Sequence, residues 1–494
     1  MNKNERFVKT FIILLFISII PVIQVKAKQI TFSQEDIIHA AVFFADYVDF
    51  FNEPPDVLVI EENKINLAQA AYLFSKEISD EPAKLSLLNI KGYNDVSVNV
   101  PSAELSTEDL ISVSKLYSGY LEKHKELPYL TKINNQLITN SDYIYITASL
   151  LREKYIKGKL PQAIMPKKLY FERTIKWNSK YAEGKNRHTV YTIDFESDRP
   201  IFASEFDKST MSKQINSSSD YGLNPRYLKV ICYSDTCTLP KDYNSTNYTS
   251  EEVAWNTAVL NIAGEVIYPE CYPYCGALNG TDIFINDFII RYNLPMVWHM
   301  TGGSIIALAS KGNMTVEEIK KLNREGLLDL GMHTMYHSEL KNISYEFLAN
   351  TLKENKNLLL RIFNLAPVQF RSPYLSIAEN NSHLFILNML NISADNELEE
   401  IDSYCKGINN CNYEYNIASV KIAKQDYTIS EQDNLVNIFV IHPWDMLFIA
   451  KGQPVHLEYS DDARINTIKN MMFVVGKYGL IPIAPSKIMK NEKE

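Results

Sequence analysis

The chain has no surplus of positive charge. Its 50 lysines and arginines face 59 acids, for a net charge of −9. Binding phosphate backbones needs a basic surface, so nucleic acid is excluded as a main partner. The chain also lacks a second long hydrophobic run. The one it has, over residues 11–23, is about 13 residues long and too short to span a bilayer comfortably. It follows Lys3, Arg6 and Lys9 and precedes Val25-Lys26-Ala27, which reads as a signal peptide over residues 1–27. The mature body is therefore expected outside the cell, with membrane contact only if this segment is retained as an anchor. Cysteines are few, six in all, and none lies beside a histidine in a protease-like context, which argues against a thiol nucleophile. They fall as Cys232/Cys237, Cys271/Cys275 and Cys405/Cys411. In an exported chain an even count points to disulfides; a metal site made by Cys232, Cys237, Cys271 and Cys275 is the alternative.

What is present is ordinary globular material: 494 residues, 46% hydrophobic and 22% charged, enough for two or three domains. Asn-x-Ser/Thr sequons at Asn216, Asn244, Asn247, Asn279, Asn313, Asn342 and Asn391 fit an exported chain.

Residues 31–79 and 104–152 form a repeat with a period of 73. Ser33 falls on Ser106, Glu35-Asp36 on Glu108-Asp109, Tyr47 on Tyr120, Pro55 on Pro128, Ile65 on Ile138 and Tyr72 on Tyr145. Each unit predicts a Ser-capped helix, a proline turn, a short extended piece and a second helix. The run Leu127-Pro128-Tyr129-Leu130-Thr131, followed by Ile138-Thr139-Asn140-Ser141-Asp142-Tyr143, resembles the pseudomurein-binding repeat of methanogenic archaea. The first unit departs from it at Pro54-Pro55-Asp56. The resemblance implies attachment to a pseudomurein cell wall, where two modules would give avidity for a repetitive polymer. A helical spacer that binds nothing is the alternative.

Residues 153–187 are basic and proline-bearing and read as a linker. From His188 the pattern changes. Thr189 to Ile193 is a β-branched, aromatic run ending in Asp194-Phe195-Glu196, where strand alternation places both acids on one face. Residues 199–280 hold four cysteines and read as a surface insertion. Beyond it, strands are expected at 295–300, 368–370, 391–394 and 435–441. Helices are expected at 283–292, 315–325, 344–363, 383–390 and 462–478. Such alternation implies an α/β barrel or open sheet.

The stretch Gly331-Met332-His333-Thr334-Met335-Tyr336-His337 sits within this region. On a helix, histidines four apart share a face and can reach one cation. Two imidazoles and one carboxylate leave a zinc position open for water. Polar residues also follow other strand candidates: Arg371-Ser372-Pro373-Tyr374, Asp395 and His442. In this order the motifs resemble those of the NodB-homology polysaccharide deacetylases, carbohydrate esterase family four, over residues 188–486.

That resemblance implies a distorted (β/α) barrel behind the two small, mainly helical repeats. It also implies Zn2+, or another divalent transition metal, held by Glu196, His333 and His337. Asp194 would be the general base, paired with Arg371. His442 would be the general acid, tuned by Asp395, with Asp402 competing for that role. The Tyr374 backbone N–H would face the oxyanion, and Trp444 and Pro373 would line the sugar subsite. His299, inside an apolar strand, reads as structural. The family usually has adjacent acids, whereas Phe195 separates them here, so which carboxylate binds metal stays open. The implied function is a secreted, wall-bound N-deacetylase of amino-sugar residues. Alternatives are an inactive wall-binding protein and a metal-dependent amidase acting on wall peptide.

Overall fold

The computed structural model describes residues 30–91, 104–134, 136–165, 186–195, 284–302, 313–335, 343–373, 382–394, 437–441 and 461–487, with single positions and short strand pairs between them. The signal region and most of the insertion lie outside the described residues. Within the insertion, strands Ile231–Tyr233 and Thr236–Thr238 pair with Cys232 opposite Cys237. Among the described residues no helix is long and apolar enough to cross a membrane.

The N-terminal region is a helical tandem. Helix α1 (Gln34–Phe51) starts at Ser33, whose hydroxyl accepts the Asp36 N–H while the Asp36 carboxylate accepts the Ser33 N–H. This reciprocal cap satisfies two donors that a helix start leaves bare. The helix stops at Asn52 in the left-handed conformation. Strands β1 (Leu58–Ile60) and β2 (Asn63–Ile65) form a hairpin, and helix α2 (Leu67–Asp80) follows, capped by Asn66 and Gln69. In unit two, α3 (Thr107–His124), β3 (Thr131–Ile133), β4 (Gln136–Ile138) and α4 (Asn140–Lys157) repeat the order. Each of these elements starts 73 positions after its counterpart, as Gln34 and Thr107, Leu58 and Thr131, and Leu67 and Asn140 show. The short extended piece expected from sequence is a two-armed hairpin in both units. Its turns use left-handed Glu61 and Asn134 where a glycine signal would have been easier to recognise.

The units embrace across a pseudo-two-fold axis. Helix α1 packs on α4, α2 packs on α3, and α2 meets α4 between them. Equivalent hydrogen bonds mark the symmetry. Tyr72 Oη donates to Glu122 at 3.2 Å, and Tyr145 Oη, 73 residues on, donates to Asp49 at 2.8 Å. Tyr117 and Tyr143 stack at 4.1 Å in the shared core. The Tyr143 hydroxyl is bonded to Ser114 and Ser75, so the buried polar tip is satisfied.

The second region is a parallel sheet. Its strands are β5 (Arg187–Phe195), β6 (Met296–Met300), β7 (Leu328–Met332), β8 (Gln369–Phe370), β9 (Ser393–Ala394), β10 (Asn437–Ile441) and β11 (Leu480–Pro482). The order is β9-β8-β7-β6-β5-β10, with β11 on the start of β5. Strand β5 thus carries three parallel partners along its length: β11 at residues 187–189, β10 at 189–193 and β6 at 192–195. Crossover helices α5 (Asn313–Arg324), α6 (Tyr345–Phe363) and α7 (Ser382–Leu390) link successive strands, and α8 (Asp461–Tyr478) precedes β11. Buried on both faces, β6 and β7 read as nearly continuous apolar runs. Among the described residues β9 and β10 each pair on one side only. Helix α5 begins at Asn313, two residues before the Thr315 cap expected from sequence, and residues 285–290 form a π-helical turn in place of a regular helix.

Unit one is docked on the sheet region. Asp46 is buried and accepts from Arg291 Nε at 2.7 Å, Tyr292 Oη at 3.1 Å and Arg152 of unit two at 3.0 Å. Phe43 lies edge-on to Tyr292, and Phe51 faces Phe473 of α8. The Asp56 and Val57 N–H groups donate to the Gly476 carbonyl. A β-carbon at Gly476 would meet the Tyr47 ring at 2.5 Å, so this close approach needs glycine.

Candidate active site

The parallel register brings distant residues to one end of the sheet. Asp194 lies opposite His299, His299 opposite Gly331, and Gly331 opposite Gln369. His333 and Arg371 each follow their strands by one position. All three sequence-predicted groups, Asp194, His333 and Arg371, are buried at the C-terminal strand ends, where α/β sheets collect ligands.

Arg371 Nε lies 2.8 Å from Asp194 Oδ2. A carboxylate removed from water needs a partner, and the guanidinium compensates its charge. On the other oxygen, His299 Nδ1 stands 3.5 Å from Asp194 Oδ1. His299 therefore belongs to the site, which the sequence reading missed. The signal was its place as the one ionisable residue in an otherwise apolar strand. Its ring fits because Gly331 has no side chain; a β-carbon there would overlap His299 Cδ2 and Nε2.

His333 Nδ1 is 2.9 Å from the Arg371 carbonyl. A carbonyl only accepts, so Nδ1 carries the hydrogen and the neutral ring presents its lone pair at Nε2. This is the tautomer and orientation that a metal-ligating histidine takes when its second nitrogen is tied to the backbone. His333 thus fits a divalent cation. Glu196 and His337, the other expected ligands, lie outside the described residues, and among those described no three His, Cys, Asp or Glu side chains form a metal-holding group.

His333 does not begin a helix, contrary to the expectation from its spacing to His337. It follows β7, and the next residue, Thr334, has φ of 60°. A β-branched residue there is strained by about 1–3 kcal/mol, a conformation the surroundings must enforce. Helix α6 supplies the restraint. Asn355 Nδ2 donates to the Thr334 and Met300 carbonyls, and the Thr351 hydroxyl accepts the Met335 N–H. The end of β5 is fixed likewise. The Phe195 carbonyl accepts from the Thr301 N–H and the Ser304 hydroxyl. Phe195 itself is core, with its ring 4.8 Å from Trp298.

Pro373 is buried, and its carbonyl accepts from the Ser376 N–H at 3.1 Å and hydroxyl at 2.8 Å. That hydroxyl accepts the Leu340 N–H, tying the turn after Arg371 to the segment after His333. Tyr374, Asp395, Asp402, His442 and Trp444 lie outside the described residues.

Among known families, the profile described as polysaccharide deacetylase matches residues 284–393. No curated protein matches the chain. Solved structures that resemble it include the Xyl-CE4 domain of a multidomain xylanase from the hindgut metagenome of Trinervitermes trinervoides. It is 12% identical, with a TM-score of 0.28, over 45% of this chain and 86% of that one. A family 4 acetyl xylan esterase from Clostridium thermocellum, solved with a cobalt ion, is 12% identical, with a TM-score of 0.25, over 43% and 85%. A CE4 family pseudoenzyme from Bacillus anthracis is 12% identical, with a TM-score of 0.23, over 34% and 51%, so about half of that protein is spanned. Over residues 284–393, then, this chain is similar to the polysaccharide deacetylase family.

Proposed function

We propose that this protein is an exported, cell-wall-bound, metal-dependent N-deacetylase acting on amino-sugar residues of a wall polysaccharide, with pseudomurein as the polymer. The observation that carries the reading is the buried Asp194–Arg371 pair beside His333, whose Nδ1 is committed to the Arg371 carbonyl. One residue, Arg371, thereby sets both the charge partner of the base and the tautomer of the ligand. The catalytic fold is taken to be a distorted (β/α) barrel.

The cation proposed is zinc or another divalent metal of that class, held by Glu196, His333 and His337; when bound, it supplies Lewis acidity to the acetamide carbonyl and to the attacking water. Asp194 accepts the proton of that water as it attacks. Arg371 and His299, on opposite oxygens, fix the direction in which the carboxylate points. The Tyr374 backbone N–H donates to the developing oxyanion. His442 delivers a proton to the leaving amine, and Asp395 favours its charged form. Pro373 shapes, and Trp444 lines, the sugar subsite. Atoms balance: water adds to the acyl carbon, the C–N bond breaks, and acetate and a free amine leave.

A second reading is a wall-binding protein without turnover. It is favoured by Phe195, whose core position leaves Glu196 two residues from Asp194 instead of adjacent to it. One experiment separates the two. Bound zinc and acetate release from wall glycan are measured for the purified protein and for His333→Ala. The deacetylase reading expects zinc near stoichiometric in the parent, and acetate release reduced by about 10³-fold in the variant. Zinc without acetate, accompanied by release of wall peptide, would instead identify an amidase. Neither zinc nor acetate would leave the binding role.

A further inference from the structure

Parallel register sets one row of side chains on a common face of the sheet: Asp194 on β5, His299 on β6, Gly331 on β7 and Gln369 on β8. Residues matched across parallel strands point to the same side. Asp194 has Arg371 Nε 2.8 Å from Oδ2 and His299 Nδ1 3.5 Å from Oδ1. Gln369 lies two strands beyond His299 and is 2% exposed. Its Oε1 is buried and has no hydrogen-bond partner among the described residues. Native interiors pair nearly all such groups, so a buried amide that is left over calls for a role beyond filling space. Nothing in the catalytic assignment above uses it.

The missing side chain at Gly331 connects the two halves of the row. A β-carbon there would overlap His299 Cδ2 and lie 2.7 Å from Nε2. The outer edge of the ring therefore lies over β7. Neighbouring strands are about 4.8 Å apart, so one strand spacing separates Nε2 from the root of Gln369. A side chain of two methylenes and an amide crosses that gap. The chemistry fits the reach. Nδ1 faces a carboxylate, which only accepts, so the neutral ring carries its hydrogen at Nδ1 and a lone pair at Nε2. A carboxamide has N–H groups at one end and an oxygen at the other, and a half-turn about its last bond exchanges them. With an N–H turned to Nε2, the amide supplies the donor that the ring needs and takes its own oxygen away from the buried end.

We infer that Gln369 is a positioning residue for Asp194 and acts through His299. The amide holds the outer edge of the ring, and the ring sets the angle of the carboxylate. Arg371, two positions after Gln369 on the same short strand, holds the opposite oxygen. One strand end thus grips the base from both sides, directly and across the gap at Gly331. This deepens the deacetylase reading above and rests on it for the role of Asp194.

The test is a double-variant cycle on the full chain with zinc, with acetate release from wall glycan as the rate. Gln369→Met keeps the volume and removes the amide; His299→Phe keeps a ring and removes its nitrogens. Each should lower kcat by about tenfold with KM unchanged, because a misdirected base slows the chemical step and not binding. The double variant should be no slower than the slower single one. Losses that multiply to about a hundredfold would show that the two residues act separately. Turnover of Gln369→Met at the parent rate would show that Gln369 only packs. Either result overturns the inference. A second readout does not depend on turnover. In protein with 15N-labelled histidine, Gln369→Met should move the His299 Nε2 resonance and leave those of His39 and His383 in place, which also shows that the variant folds. An unmoved His299 resonance overturns the inference whether or not acetate is released. A parent that releases no acetate but shows the expected shift would sink the deacetylase reading and keep the contact between Gln369 and His299.

Discussion

The helical tandem and the parallel sheet solve opposite problems. In the tandem, buried polar groups come in matched sets. Glu77 receives Lys154 and Gln34, Asp46 receives Arg152 and Arg291, and the Tyr143 hydroxyl is shared by two serines. Its left-handed residues, such as Asn52, Lys125 and Asn134, sit in helix caps and hairpin turns, where they relieve the chain. At the sheet ends the same ingredients are concentrated and constrained: one carboxylate between a guanidinium and an imidazole, and a threonine in a strained backbone conformation. The difference separates stability from function within one molecule. Local rules are obeyed where the chain must hold, and broken where it must act.

The sharpest way to break that contrast is to remove one arginine from each region. Arg371→Ala leaves the Asp194 charge buried with its guanidinium gone and should lower stability by about 3–5 kcal/mol in urea unfolding. Arg152→Ala leaves Asp46 with Arg291 and should lower it by about 1 kcal/mol. Equal losses would erase the distinction.

Acid should find the sheet region first. Burial pushes the His383 imidazole, on α7, down to about 4, from 6.5 in an unfolded chain. Between those values the unfolded chain takes up a proton that the folded one refuses. Stability is therefore full above pH 6.5 and falls as pH drops towards 4, by on the order of 3 kcal/mol. All four tryptophans lie beyond residue 165. Their fluorescence should report loss of the sheet region below pH 6 while helical circular dichroism persists, and His383→Phe should remove that difference.

A smaller effect with two signs is expected at Thr334. Thr334→Gly relieves the positive φ and should raise the urea midpoint by about 1 kcal/mol of stability, while turnover falls because the His333 turn loosens. The smallest effect tests the tandem's symmetry. Tyr72→Phe and Tyr145→Phe remove equivalent hydrogen bonds, and each should lower stability by about 1 kcal/mol. Unequal values would show that docking to the sheet region has made the units energetically distinct.

Much of this was legible in the sequence, for physical reasons that differ by region. The period of 73 is visible because a helix start needs an acceptor side chain, and Ser33 and Ser106 supply it in register. Strands β5, β6 and β8 are visible because doubly buried strands must be apolar, and polar residues then stand out at their ends. Asp194 and Arg371 were found that way, His333 by its spacing to His337, and the structure brings the three together. The helical reading of His333 failed because a four-residue spacing says nothing about φ at Thr334, which long-range contacts from Asn355 and Thr351 enforce. His299 was passed over because its partner Asp194 lies over a hundred positions away in sequence, and only register joins them. Strand β11, three residues containing a proline, carries too short a pattern to be recognised alone.

Strand β5 has a consequence for how the chain is made. Its first residues pair with 480–482, its middle with 437–441 and its end with 297–300. The tandem can assemble from neighbours as soon as residue 165 is available, but β5 stays incomplete until almost the whole polypeptide has been produced. Contacts so distant along the chain form slowly and leave sticky edges bare meanwhile. The sheet region therefore cannot close until residues 480–482 are available, long after the tandem has its neighbours.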